Sequence, residues 1–161
     1  MDPGRIAAAG GSAGGHLAAC TAFISGFDEP GEDQRVSAAP DALVLFNPAL
    51  VLAPMEGLKL EGFGTRANEE RLGTKAENLS PAHHVKPGAP PTLIFHGCAD
   101  TTVPFVTAEA FAARMKAAGA RCELVGYEGQ AHGFFNREPW LTRTQAEADR
   151  FLASLGWISS K

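Results

Sequence analysis

A serine flanked by glycines lies where a strand pattern gives way to a helix pattern. Residues 5–9 are a short apolar run, Ser12 follows in the sequence Gly-Gly-Ser-Ala-Gly, and helical spacing begins at Ala13. A serine on such a turn adopts a strained backbone, so the flanking residues Gly10 and Gly14 must be nearly free of side chain. The Ala13 amide then points toward an incoming carbonyl oxygen. The pattern predicts a nucleophile, with a glycine-rich turn and an N-capping serine as the alternative.

Two further polar residues supply the groups that a serine nucleophile needs. A hydroxyl requires a base to take its proton, and the base requires a carboxylate to orient it. Asp100 follows the strand pattern of residues 91–95, and His132 follows that of residues 122–127. Taken alone, the aspartate could cap a helix and the histidine could be an ordinary loop residue. All three polar residues, however, follow predicted strands, which predicts that they form one site.

The patterns that must position these residues alternate along the chain. Continuous apolar runs at residues 41–46 and 91–95 are typical of parallel strands covered on both faces. The predicted order is strand, helix, strand, irregular insert, strand, helix, strand, helix. This alternation indicates an α/β fold with a mainly parallel sheet flanked by helices. Because ligands of such sheets bind beyond the carboxyl ends of the strands, the predicted site lies where a ligand is expected.

The helices are predicted from apolar residues at helical spacing and from the glycines that end them. Two later helices should cover residues 108–115 and 141–155, ending at Gly119 and Gly156. Residues 49–89, with recurrent Gly and Pro, form an irregular insert within a single domain of residues 1–161. The first helix is expected to bury the face that carries Leu17, Cys20, Thr21 and Ile24.

Composition and charge argue against several classes of function. The 161 residues are 45% hydrophobic and 20% charged, an ordinary balance for one globular domain. With 14 basic and 18 acidic residues, a net charge of -4 and no basic run, a nucleic-acid partner is not expected. No apolar stretch reaches the roughly 18 residues of a membrane span, and no signal-peptide pattern opens the chain. We therefore expect a cytoplasmic protein without a membrane partner.

The remaining metal-type and thiol residues are interpreted as structural. The three cysteines are unclustered, which favours buried thiols in a reducing compartment over disulfides or zinc. No HExxH is present, and the adjacent His83 and His84 point in different directions, so neither a metal nor another cofactor is expected. We expect His16 to be packed or capping, and His96 to shape the turn that holds Asp100.

Three motifs together resemble the α/β-hydrolase superfamily: SAGGHLA at residues 12–18, HGCADTTVP at residues 96–104 and HGF at residues 132–134. The chain order serine, aspartate, histidine is the order of that superfamily. The chain is most similar to bacterial esterases of the hormone-sensitive-lipase-like and feruloyl- or acetyl-xylan-esterase-like groups, over residues 2–157. The resemblance implies that Ser12 is the nucleophile, His132 the general base and acid, and Asp100 the residue that orients His132. It also implies that the Ala13 amide is one oxyanion donor.

The resemblance covers the C-terminal half of such an enzyme. Family members carry a His-Gly-Gly-type loop upstream of the nucleophile that supplies further oxyanion amides, and this sequence contains none. The expected fold is thus a partial α/β-hydrolase lacking the N-terminal strands, with the strand of residues 6–9 exposed at the sheet edge. We expect self-association through that edge.

The expected activity is hydrolysis of short-chain carboxylic esters, acetylated carbohydrates among them, on a small-molecule substrate. A serine peptidase of the same fold and a non-catalytic hydrolase fragment are the alternatives.

Overall fold

A computed structural model of the chain describes Asp2 and residues 4–33, 35–58 and 69–159. Strands and helices alternate along it, as the sequence predicts. Short 3₁₀ turns cover Ala76–Leu79, Pro81–His83 and Phe134–Asn136. The strands and α-helices are β1 (Ala7–Gly11), α1 (Ala13–Phe23), β2 (Ala42–Phe46), α2 (Glu69–Leu72), β3 (Thr92–Gly97), α3 (Phe105–Ala117), β4 (Cys122–Tyr127) and α4 (Trp140–Ser154).

The four strands form one parallel sheet in the order β1-β2-β3-β4. In register, Ala9 lies beside Val44, Val44 beside Leu93, and Leu93 beside Glu123. Because consecutive strands are parallel neighbours, their carboxyl ends share one edge of the sheet, and the turns after them meet there. The predicted α/β fold class is confirmed.

Helices cover both faces of the sheet, and the side chains of β2 and β3 alternate between them. On one face, α1 and α3 pack over Leu43, Leu45 and Ile94, and the Phe23 and Phe111 rings meet edge-on with centroids 5.3 Å apart. On the other face, α4 packs over Val44, Leu93 and Phe95, with Phe151 and Tyr127 completing the cluster. The two central strands are therefore buried on both sides, as their unbroken apolar sequences predict.

The first strand extends two residues further than the sequence pattern indicates. Gly10 and Gly11 are predicted to form a turn, but they pair with Leu45 and Phe46 as the end of β1. A Cβ on Gly11 would lie 2.7 Å from the Phe135 ring. A glycine within a strand here marks a close approach of another group rather than the end of the strand.

The predicted buried face of α1 is wrong. Leu17 is 65% exposed and Thr21 is also exposed, whereas the buried residues of α1 are Gly15, Ala18, Ala19 and Phe23. The helix begins directly at the end of β1 and lies so close to the sheet that small residues make the contact. The large apolar residue Leu17 faces outward instead.

The predicted insert contains little regular structure in its described part, consisting of α2 and two 3₁₀ turns between β2 and β3. Residues 59–68 of the predicted insert lie outside the described residues. The buried Ser80 hydroxyl accepts a hydrogen bond from the Leu52 amide at 3.0 Å and lies 2.8 Å from His83 Nδ1, joining two parts of the segment. None of the described helices is long and apolar enough to span a membrane.

Candidate active site

Ser12 occupies the turn between β1 and α1 in a strained conformation, with φ 54° and ψ -118°. Positive φ is uncommon for a residue with a side chain, and it persists only where the surroundings hold it. The Ser12 amide donates to the Phe46 carbonyl at 2.8 Å, and the Ser12 carbonyl accepts from the His16 amide at 3.0 Å. Strand β2 and the first turn of α1 thus fix the backbone on either side of the hydroxyl.

Close packing at this turn requires Gly10 and Gly15. A Cβ on Gly10 would lie 2.4 Å from the Gly14 carbonyl carbon, and one on Gly15 would lie 2.9 Å from the Gly10 carbonyl oxygen and 3.0 Å from Pro48 Cβ. A Cβ on Gly14 would meet no described atom within 4 Å. The steric requirement predicted for Gly14 therefore falls on Gly15, because the first turn of α1 crosses β1 at that residue.

Alanine substitutions at the two flanking glycines should consequently have opposite effects. Gly10→Ala should lower the thermal midpoint and remove the reactivity of Ser12, because backbone atoms at 2.4 Å cannot yield without moving the turn. Gly14→Ala, the matched control, should keep or raise stability, by up to about 1 kcal/mol, since alanine is favoured over glycine inside a helix. Thermal unfolding and labelling with a fluorophosphonate probe measure both effects. Equal losses in the two variants would contradict this reading of the turn.

The structure brings the three predicted residues together across 120 positions of sequence. His132 Nε2 lies 2.8 Å from Ser12 Oγ, and His132 Nδ1 lies 2.6 Å from Asp100 Oδ2. An ionised carboxylate can only accept, so Nδ1 carries the proton and donates to Asp100. Nε2 is then left to accept the hydrogen bond of the Ser12 hydroxyl. The imidazole is thus in the tautomer that a general base toward Ser12 requires.

Asp100 is held from both of its oxygens. Its side chain is fully buried, and Oδ1 accepts from the amides of Thr102 and Val103 at 2.8 and 2.9 Å. Oδ2 accepts from His132 Nδ1 and from Asn47 Nδ2, the latter at 3.0 Å. Four donors around one carboxylate match its charged, acceptor-only form and leave it one orientation.

The turns that carry Asp100 and His132 are tied to each other by backbone contacts. The Ala99 amide donates to the Gln130 carbonyl at 3.0 Å, next to the Asp100 amide, which donates to Gly97 at 3.1 Å. A Cβ on Gly97 would lie 2.3 Å from the same Gln130 oxygen. Glycine at the end of β3 therefore allows the turn after β4 to approach closely enough for His132 to reach Asp100.

Asn47 is a site residue that the sequence patterns alone do not indicate. In the sequence, Asn47-Pro48 marks only the end of the apolar run of residues 41–46, yet the Asn47 side chain lies within hydrogen-bond distance of Asp100 and of the turn that carries His132. The available signal was its position, since the other three strands are followed by Ser12, Asp100 and His132. The turn after β2 completes that series.

His96 has the role expected of it. It is completely buried at the end of β3, and its Nε2 donates to the Val103 carbonyl at 2.8 Å, which fixes the turn around Asp100. Burial lowers the pKa of His96, so the ring is held neutral beside the site.

The other histidines contact backbone carbonyls in separate places. His16 Nε2 lies 2.8 Å from the Leu79 carbonyl, His83 Nε2 lies 3.2 Å from the Pro54 carbonyl, and His84 Nε2 lies 2.9 Å from the Glu77 carbonyl. Each ring therefore has a structural contact of its own.

The cysteines are free thiols, and all three are half-buried rather than buried as the sequence predicts. Burial raises the pKa of Cys20 to about 11 and that of Cys122 to about 12, and it also raises the pKa of Cys98, beside Glu128. Because the thiolate is the reactive form of cysteine, Ser12 is the better candidate for a nucleophile in this chain.

An anion can be received at the start of α1. The Ala13 amide is the first of the helix, so it has no acceptor within the helix and lies at the positive end of the helix dipole. It directly follows Ser12, and if this serine attacked a carbonyl, as the family resemblance implies, the carbonyl oxygen would become negatively charged beside that amide. The position fits the oxyanion donor that the family resemblance implies.

Two family models match the chain. The BD-FAE model matches residues 1–115, and the dienelactone hydrolase family model matches residues 73–160. Together they cover Ser12, Asp100 and His132.

Among curated proteins, the chain is 30% identical over 152 residues to the esterase LipU of Mycobacterium tuberculosis, covering 83% of this chain and 48% of LipU. It is 28% identical over 152 residues to the probable isoprenylcysteine alpha-carbonyl methylesterase ICMEL1 of Arabidopsis thaliana, covering 81% of this chain and 30% of that protein. The chain thus spans less than half the length of these relatives.

Among solved structures, the apo form of Thermogutta terrifontis esterase 2 superposes with a TM-score of 0.90 at 49% identity, covering all of this chain and 59% of the esterase. Other structures of that esterase hold propionate or butyrate, or are phosphonylated by sarin. Three findings agree: the parallel sheet with its flanking helices, the strained serine after β1 and the two family models. The chain spans only part of the length of its relatives, and it belongs to the α/β-hydrolase superfamily, among the serine esterases.

Proposed function

We propose that this chain carries the catalytic residues of a serine carboxylic-ester hydrolase acting on short-chain acyl esters. The observation that carries the proposal is the continuous hydrogen-bond path from Ser12 Oγ through His132 to Asp100, at 2.8 and 2.6 Å. The lengths suit direct proton transfer between the hydroxyl and the imidazole.

The first half of the reaction forms an acyl-enzyme. Ser12 Oγ attacks the ester carbonyl carbon while His132 Nε2 takes the hydroxyl proton, and the Ala13 amide donates to the resulting oxyanion. Asp100 stabilises the imidazolium through Nδ1. When the carbonyl re-forms, the carbon–oxygen bond to the alcohol breaks, and the alcohol leaves with the proton from Nε2.

The second half repeats these steps with water. His132 Nε2 takes a proton from a water molecule as its oxygen attacks the acyl carbon, and the Ala13 amide again meets the oxyanion. The bond to Ser12 Oγ then breaks, and the serine recovers its proton from Nε2. A carboxylic acid is released, and no cofactor enters the balance.

Two observations favour short acyl groups. Thermogutta terrifontis esterase 2, at 49% identity, binds propionate and butyrate in solved structures. In this chain, the Phe135 ring packs against Gly11 at the end of β1 and contacts Phe46, with ring centroids 4.8 Å apart, so aromatic bulk lies close to Ser12. Acetylated carbohydrates belong to this class of substrate and remain part of the proposal.

Covalent labelling tests the proposal directly. A fluorophosphonate probe reacts with an activated serine, and digestion followed by mass spectrometry locates the adduct. We expect stoichiometric modification of Ser12 and turnover of aryl acetate or butyrate above aryl octanoate. Folded protein that takes up no probe would identify a non-catalytic fragment, whereas labelling without ester turnover but with cleavage of peptide substrates would identify a peptidase.

We also propose that the 161-residue chain self-associates through β1. Among the described strands, β1 is paired with β2 alone, and Ala7 and Ala9 are exposed on it. Ile6 is 48% exposed and Leu17 is 65% exposed in the adjoining segments. An unpaired strand edge beside apolar side chains is a template for association.

Light scattering during size-exclusion chromatography should accordingly give a mass that is a multiple of 16.9 kDa. Ile6→Lys, which places a charge directly before β1, should shift the protein toward the monomer, and so should Leu17→Lys on the exposed face of the helix that follows β1. A monomer mass for the parent chain across a hundredfold concentration range would contradict association through β1.

A further inference from the structure

One buried side chain joins the turns that carry the acid and the base. Asn47, directly after β2, is completely buried and adopts a positive φ of 43°. Its backbone amide donates to the Phe95 carbonyl at 2.8 Å, which fixes the residue against β3. Its side chain makes two contacts of opposite kind, one with each turn.

Toward the acid, Asn47 Nδ2 donates to Asp100 Oδ2 at 3.0 Å, the oxygen that also accepts from His132 Nδ1. Toward the base, Asn47 Oδ1 accepts from the Gly133 amide at 3.3 Å, one residue beyond His132. A single planar amide therefore sets the distance between the carboxylate and the backbone of the histidine turn. Because neither contact reaches Ser12, the Asn47 side chain can act only through Asp100 and the turn that carries His132.

The choice of residue fits this role. Positive φ is adopted mainly by glycine, asparagine and aspartate, and of these only asparagine offers a donor and an acceptor together. Aspartate would direct a carboxylate oxygen at Asp100, and glycine would leave both partners unpaired. A buried donor or acceptor without a partner is costly. The Asp100 carboxylate therefore favours the Nδ2 donor of asparagine, and the Gly133 amide favours its Oδ1 acceptor.

We propose that Asn47 is a positioning residue that holds Asp100 and the His132 turn in the arrangement needed for proton transfer. The inference rests on the proposed function, because it assigns to Asn47 the support of that same acid and base. Misplacing a catalytic group by about 1 Å can cost on the order of 10²-fold in rate, so loss of this support should reduce turnover without affecting substrate binding.

Two substitutions separate the contacts. Asn47→Gly preserves the backbone conformation and removes both contacts, and kcat should fall by about 10–100-fold with KM within about twofold of the parent value. Asn47→Asp keeps the acceptor for Gly133 but opposes two carboxylates, so kcat should fall by a similar factor. The added negative charge also favours imidazolium at His132, and the acid limb of the kcat profile should therefore move to higher pH. The titratable groups that face this position are Asp100, His132 and the neutral His96.

A second readout does not depend on turnover. The proton on His132 Nδ1, in a 2.6 Å hydrogen bond, should give a low-field proton resonance in the parent chain, assigned by its absence from His132→Gln. In Asn47→Gly that resonance should broaden or shift. Ser80→Ala is the matched control, because Ser80 is also fully buried and joins two segments, through Leu52 and His83. Ser80→Ala should leave the resonance unchanged and should have the same kcat as the parent chain.

The outcomes distinguish the two proposals. An unchanged resonance and a kcat within about twofold of parent in folded Asn47 variants would overturn the role of Asn47 while Ser12-dependent turnover stands. A parent chain without Ser12-dependent turnover would overturn the proposed function, and the resonance would still decide whether Asn47 holds the pair. Should Asn47→Gly fail to fold, Asn47→Asp, of the same size and tolerant of the same φ, gives the same decision.

Discussion

Ser12→Ala should reduce ester hydrolysis by a factor on the order of 10⁶ while leaving the thermal midpoint within about a degree of the parent value. Loss of the nucleophile in a serine–histidine pair removes covalent catalysis entirely. The rate enhancement that remains comes from substrate binding and from the oxyanion amide. The hydroxyl makes one described side-chain contact, with His132, at a partly exposed position. The strained backbone of the turn is held by Phe46 and His16 through main-chain atoms, so the substitution removes no contact on which folding depends.

Kinetics with an aryl acetate and a thermal melt of the same preparation measure both quantities. Ser37→Ala is the matched control, since it removes a hydroxyl from an exposed loop and should change neither activity nor labelling. Retention of parent activity by Ser12→Ala, with fluorophosphonate still bound covalently, would remove this serine from the mechanism and direct attention to another nucleophile.

The general architecture could be predicted because its signals are local. Continuous apolar runs such as that of β2 are typical of strands covered on both faces, and Gly119 and Gly156 both adopt the positive φ that ends a helix. A strand-helix alternation then leaves a parallel sheet as the expected arrangement. From that, the sequence also predicts that residues after successive strands meet at one edge, which is where the structure places Ser12, Asp100 and His132.

Predictions from the sequence fail where the burial of a residue depends on the packing distance between two elements rather than on the residue type. Helical spacing predicts that Leu17 is buried, but α1 packs against the sheet through Ala18 and Ala19, and Leu17 faces outward. In the same way, glycine on either side of Ser12 looks equivalent in a motif. Only the crossing of α1 over β1 shows that Gly15 is confined and Gly14 is not.

Asn47 shows why a residue that supports catalytic groups is hard to predict from sequence. Its sequence context, an asparagine before proline at the end of an apolar run, is equally typical of an ordinary turn. Its role follows from contacts with residues 53 and 86 positions away, which no local pattern encodes. Catalytic residues are few in type and can be sought by their chemistry, whereas a residue that positions them is recognised by what it touches.

His132→Gln should reduce hydrolysis by about the same factor as Ser12→Ala and should remove the pH dependence of the reaction on its acid side. Only the neutral imidazole can accept the Ser12 proton, so parent activity should rise with pH as the ring loses its proton. Glutamine has a similar length and can still donate toward Asp100, but its amide does not take up a proton at the pH values at which the enzyme is assayed. The residual rate of the variant should therefore be flat where the parent rate climbs.

Comparing His132→Gln with Asp100→Asn separates the contribution of the base from that of the carboxylate that orients it. Asp100→Asn leaves an imidazole in place but favours the wrong tautomer, a change that costs about 10⁴-fold in a comparable triad, so it should retain more activity than His132→Gln and keep an acid limb. His84→Gln, whose ring contacts only the Glu77 carbonyl among its described hydrogen bonds, is the control and should match the parent at every pH. A parent profile without an acid limb, or a His132→Gln variant that preserves one, would mean that a group other than His132 accepts the proton of Ser12.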